Sequence, residues 1–308
     1  MTQSQTGKNE EDYLKEYLNN TENKPTEIKH TSINTTPTDR LTDLQFFTFE
    51  ATMLPLGMFY PKGTIIMVRA AQVREIQAYS MVEDTNFYDM VEKMNDMLSS
   101  CVRVKYADGT VKPFTDLKDG DRFYVIFLIR ELTFQKGNSL TLSVSCKCGI
   151  ENTIELKRNS FIFWETDESL TKHFDPNKGC FRFTTNFGKT FEVAPPSIGL
   201  QKSFTEYIIR QYNEKKTPNL SFLKIMPFQL FDRQSITYEG IQKKLEEYID
   251  MDMDTFQFLN YIVNKMNFGI KELAKKCTCG QEVRTDMTFP RGPSAVFVVQ
   301  DGFEQYLA

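Results

Sequence analysis

Polar and apolar positions divide the 308-residue chain into stretches of different period. Residues 1–42 are rich in Thr, Asn, Glu and Lys, with too few apolar side chains to offset the entropy of ordering, and are expected to form a mobile N-terminal arm. Within it Tyr13, Leu14, Tyr17 and Leu18 recur at i, i+1, i+4 and i+5, so a short helix would carry two aromatic and two leucine side chains on one side. That stripe reads either as a transient helix without a role or as an anchor for a groove on a partner.

From residue 43 the pattern becomes strand-like. Phe46, Phe47 and Phe49 predict a first strand, Leu54 to Pro61 an irregular segment held by two prolines and a glycine, and Thr64 to Arg69 a second strand. Ala71 to Met81 and Asn86 to Met97 carry apolar residues at helical spacing, with Asp84 or Thr85 placed to cap the second helix. Cys101 to Lys105 predicts a strand, Asp108-Gly109 a turn and Asp116 to Asp121 a charged loop. The apolar run Phe123 to Leu132 is a buried element whose type the period leaves open. Leu140 to Leu156 alternates as a hairpin with Cys146 to Gly149 at its tip. Phe161, Phe163, Phe181, Phe183, Phe187 and Phe191 continue a strand-rich stretch, with turns at Asn177 to Gly179 and at Gly188.

Between Ser197 and Phe268 the period becomes helical. Phe204, Tyr207, Ile208 and Tyr212 form one stripe, Ile241, Leu245 and Tyr248 a second, and Phe256, Leu259, Ile262, Val263 and Met266 a third. Val283 to Phe289 and Ala295 to Val299 return to strand character. The expected fold class is α+β, with a mixed strand-rich domain over residues 43–195 and a helical subdomain inserted over 196–268. Residues 269–308 are expected to pack back on the first domain.

Four of the six cysteines fall in a motif that occurs twice, Cys146-Lys-Cys148-Gly149 and Cys277-Thr-Cys279-Gly280. A zinc knuckle bends the backbone so that two sulfurs face one ion, and a glycine after the second cysteine relieves the strain of the bend. The usual knuckle has two residues between its cysteines, and both copies here have one. A shared structural zinc is the favoured reading, with two disulfides or free thiol pairs, and a catalytic or redox pair, as alternatives. A single ion joining both turns would close a loop of nearly half the chain. By analogy with a covalent cross-link, the entropic gain is on the order of 4–5 kcal/mol.

Composition removes several function classes. A formal charge of −4 gives no electrostatic footprint for nucleic acid, and Lys147, Lys275 and Lys276 are the only basic candidates beside the cysteines. No run approaches eighteen apolar residues and Met1 to Glu10 is polar, so neither a membrane partner nor a signal peptide is expected, and the chain should stay in a reducing cytoplasm. Phosphate-binding glycine loops, nucleophile elbows and His-Glu-x-x-His helices are absent from the sequence, and His30 and His173 stand outside any ligand spacing. The chain therefore reads as a non-enzyme. Asp250, Asp252 and Asp254 lack the glycine and terminal glutamate of a calcium loop and read as helix-capping residues. Arg69, Arg74, Arg130 and Glu131 lie beside apolar elements and are expected at the surface, with a buried ion-pair network as the alternative, and Cys101 and Cys180 are expected as inert core thiols.

One ordered series of residues carries a family resemblance. It runs through Leu54-Pro55, Gly57, Phe59-Tyr60-Pro61, Val68-Arg69, Gln72-Val73-Arg74-Glu75, Ser100-Cys101-Val102, Asp121-Arg122, Phe127 to Leu132 and the first cysteine turn. In this order and spacing, over about a third of the chain, the series resembles the T4-type bacteriophage baseplate protein family. The resemblance implies a non-catalytic phage tail protein of the baseplate hub or its assembly, made in the host cell cytoplasm, with other baseplate or hub proteins as partners. A component kept in the virion would take on the cyclic symmetry of the baseplate. The alternative from another class is a zinc-ribbon-type nucleic-acid-binding or regulatory protein.

Overall fold

Burial alternates along Ile65–Val68 (β2), with Ile66 and Val68 turned inward, so one face of this strand meets the core. The computed structural model describes residues 45–81, 87–134, 140–157, 160–184, 188–285 and 296–297. β2 pairs antiparallel with β1 (Phe47–Glu50) and with β3 (Val102–Lys105), and β4 (Val111–Pro113) completes the order β1-β2-β3-β4. Helices α1 (Val73–Ser80) and α2 (Phe87–Cys101) connect β2 to β3 and pack on each other. α1 begins where the Glu75 carboxylate accepts the Gln72 N–H at 2.7 Å.

The run whose type the sequence left open is helix α3 (Arg122–Thr133). Its residues Val125 to Arg130 are all buried, so no polar stripe marks the helical period. After it come the hairpin β5 (Thr141–Ser145) and β6 (Glu151–Glu155), then β7 (Phe161–Phe163) and the single turn α4 (Glu168–Thr171). β8 (Phe174–Asp175), β9 (Cys180–Thr184) and β10 (Thr190–Val193) form an antiparallel sheet with β9 central. The turn into β9 needs glycine: Gly179 sits at φ +61° and a Cβ there would lie 3.1 Å from the Phe59 carbonyl oxygen.

Four helices follow, α5 (Ile198–Asn213), α6 (Leu220–Gln229), α7 (Tyr238–Ile249) and α8 (Met253–Lys265). Each starts at a polar cap, Ser197, Asn219, Thr237 and Asp252, whose side-chain oxygen accepts the backbone N–H of the third helical residue. Asp252 thus acts as the sequence suggested, accepting the Thr255 N–H at 2.8 Å. The stripes of these helices are buried in the same core as the strands. Phe59 makes edge contacts with Phe174, Phe181 and Phe268, and Phe183 meets Phe258. The chain then returns as β11 (Ile270–Lys276), which pairs with β7 on one side and β12 (Glu282–Thr285) on the other. Separate helices and antiparallel sheets make the fold α+β. Among the described residues no helix is long and apolar enough to cross a membrane.

Three expectations need correction. Arg69 and Arg130, expected at the surface, are 4% and 3% exposed. Arg69 is buried because Glu75 takes its guanidinium in two hydrogen bonds of 2.7 and 3.0 Å, and Arg130 because its Nε donates to the Val296 carbonyl while Phe134 covers it. The strand expected over Ala295 to Val299 is not formed at Val296 and Phe297, which lie in a 3₁₀ turn. There the Val296 carbonyl is taken by Arg130 and the Phe297 ring sits 5.0 Å from Tyr79, so α3 and α1 hold these two residues. Tyr13, Leu14, Tyr17, Leu18, Asp84, Thr85 and Phe187 lie outside the described residues.

Candidate metal centre

The two cysteine motifs close two hairpins in the same way. Ser145 pairs with Glu151 and Lys276 with Glu282, leaving five residues in each turn. The Cys146 N–H donates to the Ile150 carbonyl and the Cys277 N–H to the Gln281 carbonyl, both at 2.8 Å. Gly149 and Gly280 donate back to the carbonyls of Cys146 and Cys277 at 2.9 Å, with φ of +88° and +87°. Such φ values are open to glycine and strained for other residues, which explains why both motifs end in it. Between the turns β11 packs on β6 and β12 on β5, and the Lys275 ammonium donates to the Thr153 carbonyl across the gap.

That docking brings Cys146, Cys148, Cys277 and Cys279 together, with all four Sγ atoms within 4.8 Å of one another. Across the hairpins Cys146 Sγ lies 3.7 Å from Cys279 Sγ and Cys148 Sγ 3.8 Å from Cys277 Sγ. A regular tetrahedron with metal–sulfur bonds of about 2.3 Å has edges of about 3.8 Å, whereas a disulfide requires about 2.05 Å. The two cross-hairpin distances match the tetrahedral edge, and all four sulfurs lie close enough together to hold one ion. Cys146 and Cys277 are buried beside Val144 and Val283, and Cys148 and Cys279 face solvent.

The surrounding dipoles favour thiolate. The Asn152 amide donates to Cys277 Sγ at 3.4 Å. The Cys279 backbone N–H, then Asn152, pull the Cys277 thiol down to about 6. At Cys148 the Ile150 N–H also favours the anion, but hydrogen bonding with Cys146 and desolvation outweigh it and push the thiol up to about 12. Four sulfurs this close give up one proton readily and the later ones with increasing difficulty, and a divalent cation removes that repulsion. The donor set and spacing therefore fit a soft or borderline divalent ion, and these four residues can hold one.

Cys101 and Cys180 stand apart from this cluster. Burial pushes their thiols up to about 12 and about 11, as expected of core residues. A second polar cluster was not foreseen in the sequence. In the loop read as charged, Asp121 is 0% exposed and accepts the Leu56 N–H at 2.9 Å and the Tyr60 hydroxyl at 2.7 Å. Lys118, also buried, donates its ammonium to the Pro195 carbonyl. The only signal for it in sequence is the proline and aromatic content of residues 54–61, which marks a rigid segment without naming its partner. Compared with protein-family models, with curated proteins and with solved structures, the chain matches none.

Proposed function

We propose that the four cysteines hold one structural zinc ion and that the chain is a non-enzymatic assembly protein of the T4-type baseplate hub class. The observation that carries the metal reading is the gathering of four sulfurs within 4.8 Å of one another from two hairpins, with the cross-hairpin pairs 129 and 133 positions apart in sequence. Cys146, Cys148, Cys277 and Cys279 would fill every position around the ion, leaving none open for substrate or activated water, so its chemistry is that of a clip. Zinc at that point ties the return strand β11 to the hairpin β5–β6. Its binding energy then becomes folding energy.

Two pairs of residues within the series that carries the family resemblance touch, Tyr60 with Asp121 and Arg69 with Glu75, and contacts beside it tie the same segments together. Leu56 and Tyr60, within the segment that opens the series, bond Asp121; Arg69 pairs with Glu75; and the Ala71 N–H donates to Thr133 at the end of α3. These contacts show that part of the series helps to hold this fold together, which is what supports reading it as a fold pattern. In this reading the protein is made in the host cell cytoplasm and presents a rigid, metal-clipped body to other hub or baseplate proteins, either transiently or as a retained, cyclically arranged component. Lys275, on which the nucleic-acid alternative partly rests, is tied to Thr153.

Native mass spectrometry of the chain with the hub proteins of a contractile tail tests both halves. One zinc per chain and a defined hetero-complex are expected. A metal-free chain that joins none of those proteins would overturn the proposal.

A further inference from the structure

The two sulfur pairs that reach across the hairpins, at 3.7 and 3.8 Å, share one property. Each joins a buried cysteine of one hairpin to an exposed cysteine of the other, Cys146 to Cys279 and Cys277 to Cys148. Pairing within a turn would draw together cysteines one residue apart. It would do so against the two backbone hydrogen bonds that fix each turn. Contacts independent of the sulfurs, the Lys275–Thr153 bond and the packing of β11 on β6 and β12 on β5, keep the hairpins docked while sulfur chemistry proceeds.

From this arrangement we infer that the metal clip converts into a covalent clip on oxidation, releasing the ion and forming Cys146–Cys279 and Cys148–Cys277 disulfides. The inference rests on the structural-zinc reading for the ion that is released. The oxidant class is a peroxide. The solvent-facing thiolate of Cys279 attacks one peroxide oxygen, breaking the O–O bond and leaving a sulfenic acid and hydroxide. The buried Cys146 thiolate then attacks Cys279 Sγ, forming the S–S bond and expelling a second hydroxide. Cys148 and Cys277 repeat the sequence. Four thiolates lose four electrons, two hydrogen peroxide molecules take them up, four protons neutralise the four hydroxides to water, and one divalent ion leaves. Two sulfur–sulfur bonds then span the same hairpins that the ion spanned. A protein that forms in a reducing cell and later meets oxidising surroundings would keep the same cross-link in both.

The test is titration of the purified full-length protein with hydrogen peroxide. Zinc release is followed with a chromogenic chelator, and a non-reducing peptide map is made after blocking the remaining thiols. Expected are loss of four titratable thiols, release of one zinc, and linked peptides carrying Cys146 with Cys279 and Cys148 with Cys277. The C148S/C277S double variant should still form the remaining link. Cys101 and Cys180 should be recovered as blocked thiols, a control set by their burial. Links within a turn, links between chains, or sulfinic acid at Cys148 and Cys279 in place of disulfides would overturn the inference. Protein isolated without zinc would fail the metal reading alone, and the same peptide map would still decide the pairing.

Discussion

Tyr60 donates its hydroxyl proton to Asp121 at 2.7 Å across 61 positions of sequence, and the same oxygen accepts the Lys118 backbone N–H at 2.8 Å. Burial, and then the charge of Asp121, hold the phenol well above its ordinary pKa, so it stays protonated and works as donor and acceptor at once. This bond joins the turn segment before β2 to the loop before α3, and Asp121 adds the Leu56 N–H to it.

Removing that oxygen with Tyr60→Phe leaves the Lys118 N–H without its acceptor and Asp121 with one donor fewer. A loss of about 1–3 kcal/mol is expected from the cost of buried unpaired groups. Urea denaturation would read it, and a change below about 0.5 kcal/mol, the scale of a neutral surface substitution, would mean that the network carries no stability.

Asp121 should give the protein a pH dependence opposite to that of a surface carboxylate. Burial pushes it up to about 7, against the pull of the Tyr60 hydroxyl, the Leu56 N–H and the Lys118 charge. Its folded pKa lies above its unfolded one, so the folded state holds more protons between the two. The stability it contributes is complete below about pH 4 and is lost as pH rises through about 7. Lys118 has the converse sign: burial pulls it down to about 8, so its stability deficit is relieved as pH rises above that value. Urea midpoints collected from pH 4.5 to 7.5 should fall more steeply for the wild type than for Asp121→Asn, and parallel slopes would contradict the assignment.

Glu75 holds the buried Arg69 guanidinium, accepts the Gln72 N–H and lies 3.6 Å from Cys101 Sγ. Neutralising it with Glu75→Gln strands a positive charge in the core, and a cost of about 3–5 kcal/mol is expected. Combining Arg69→Met with Glu75→Gln should recover part of that loss. A double variant no more stable than Glu75→Gln alone would show that the damage comes from packing and not from the unpaired charge.

Chelation or Cys277→Ser should loosen both hairpins, because one ion would serve both. The cross-link spans more than a hundred residues, and its entropic share alone is on the order of 4–5 kcal/mol. A thermal midpoint lowered by excess chelator and restored by added zinc, with new proteolytic cuts at residues 140–156 in Cys277→Ser, is the expected outcome. Cuts confined to residues 270–285 would argue for two separate turns.

Local order was legible in the sequence wherever it has a period or a fixed stereochemical need. The Cys-x-Cys-Gly repeat announced two glycine-ended turns, the first at a hairpin tip, and the stripes at Phe204, Ile241 and Phe256 announced α5, α7 and α8. In each case neighbours in sequence supply the signal. Strand β11 before the second turn was not foreseen. Helix α6 gave no such stripe, because its Leu220, Phe222, Leu223, Ile225 and Met226 are almost continuously apolar and Pro227 sits within it. α3 was ambiguous for the same reason.

What tertiary structure alone decided is the company each group keeps. Asp121, Lys118, Arg69 and Arg130 look like surface charges until Tyr60, Pro195, Glu75 and Val296 arrive from distant positions with hydrogen bonds that make burial tolerable. The cysteines likewise determine the chemistry that four sulfurs can do. Only the pairing of β11 with β7 and the packing of the two hairpins bring those sulfurs close enough together to hold one ion, because a desolvated or metal-binding group is defined by what surrounds it in space and not by its neighbours in sequence.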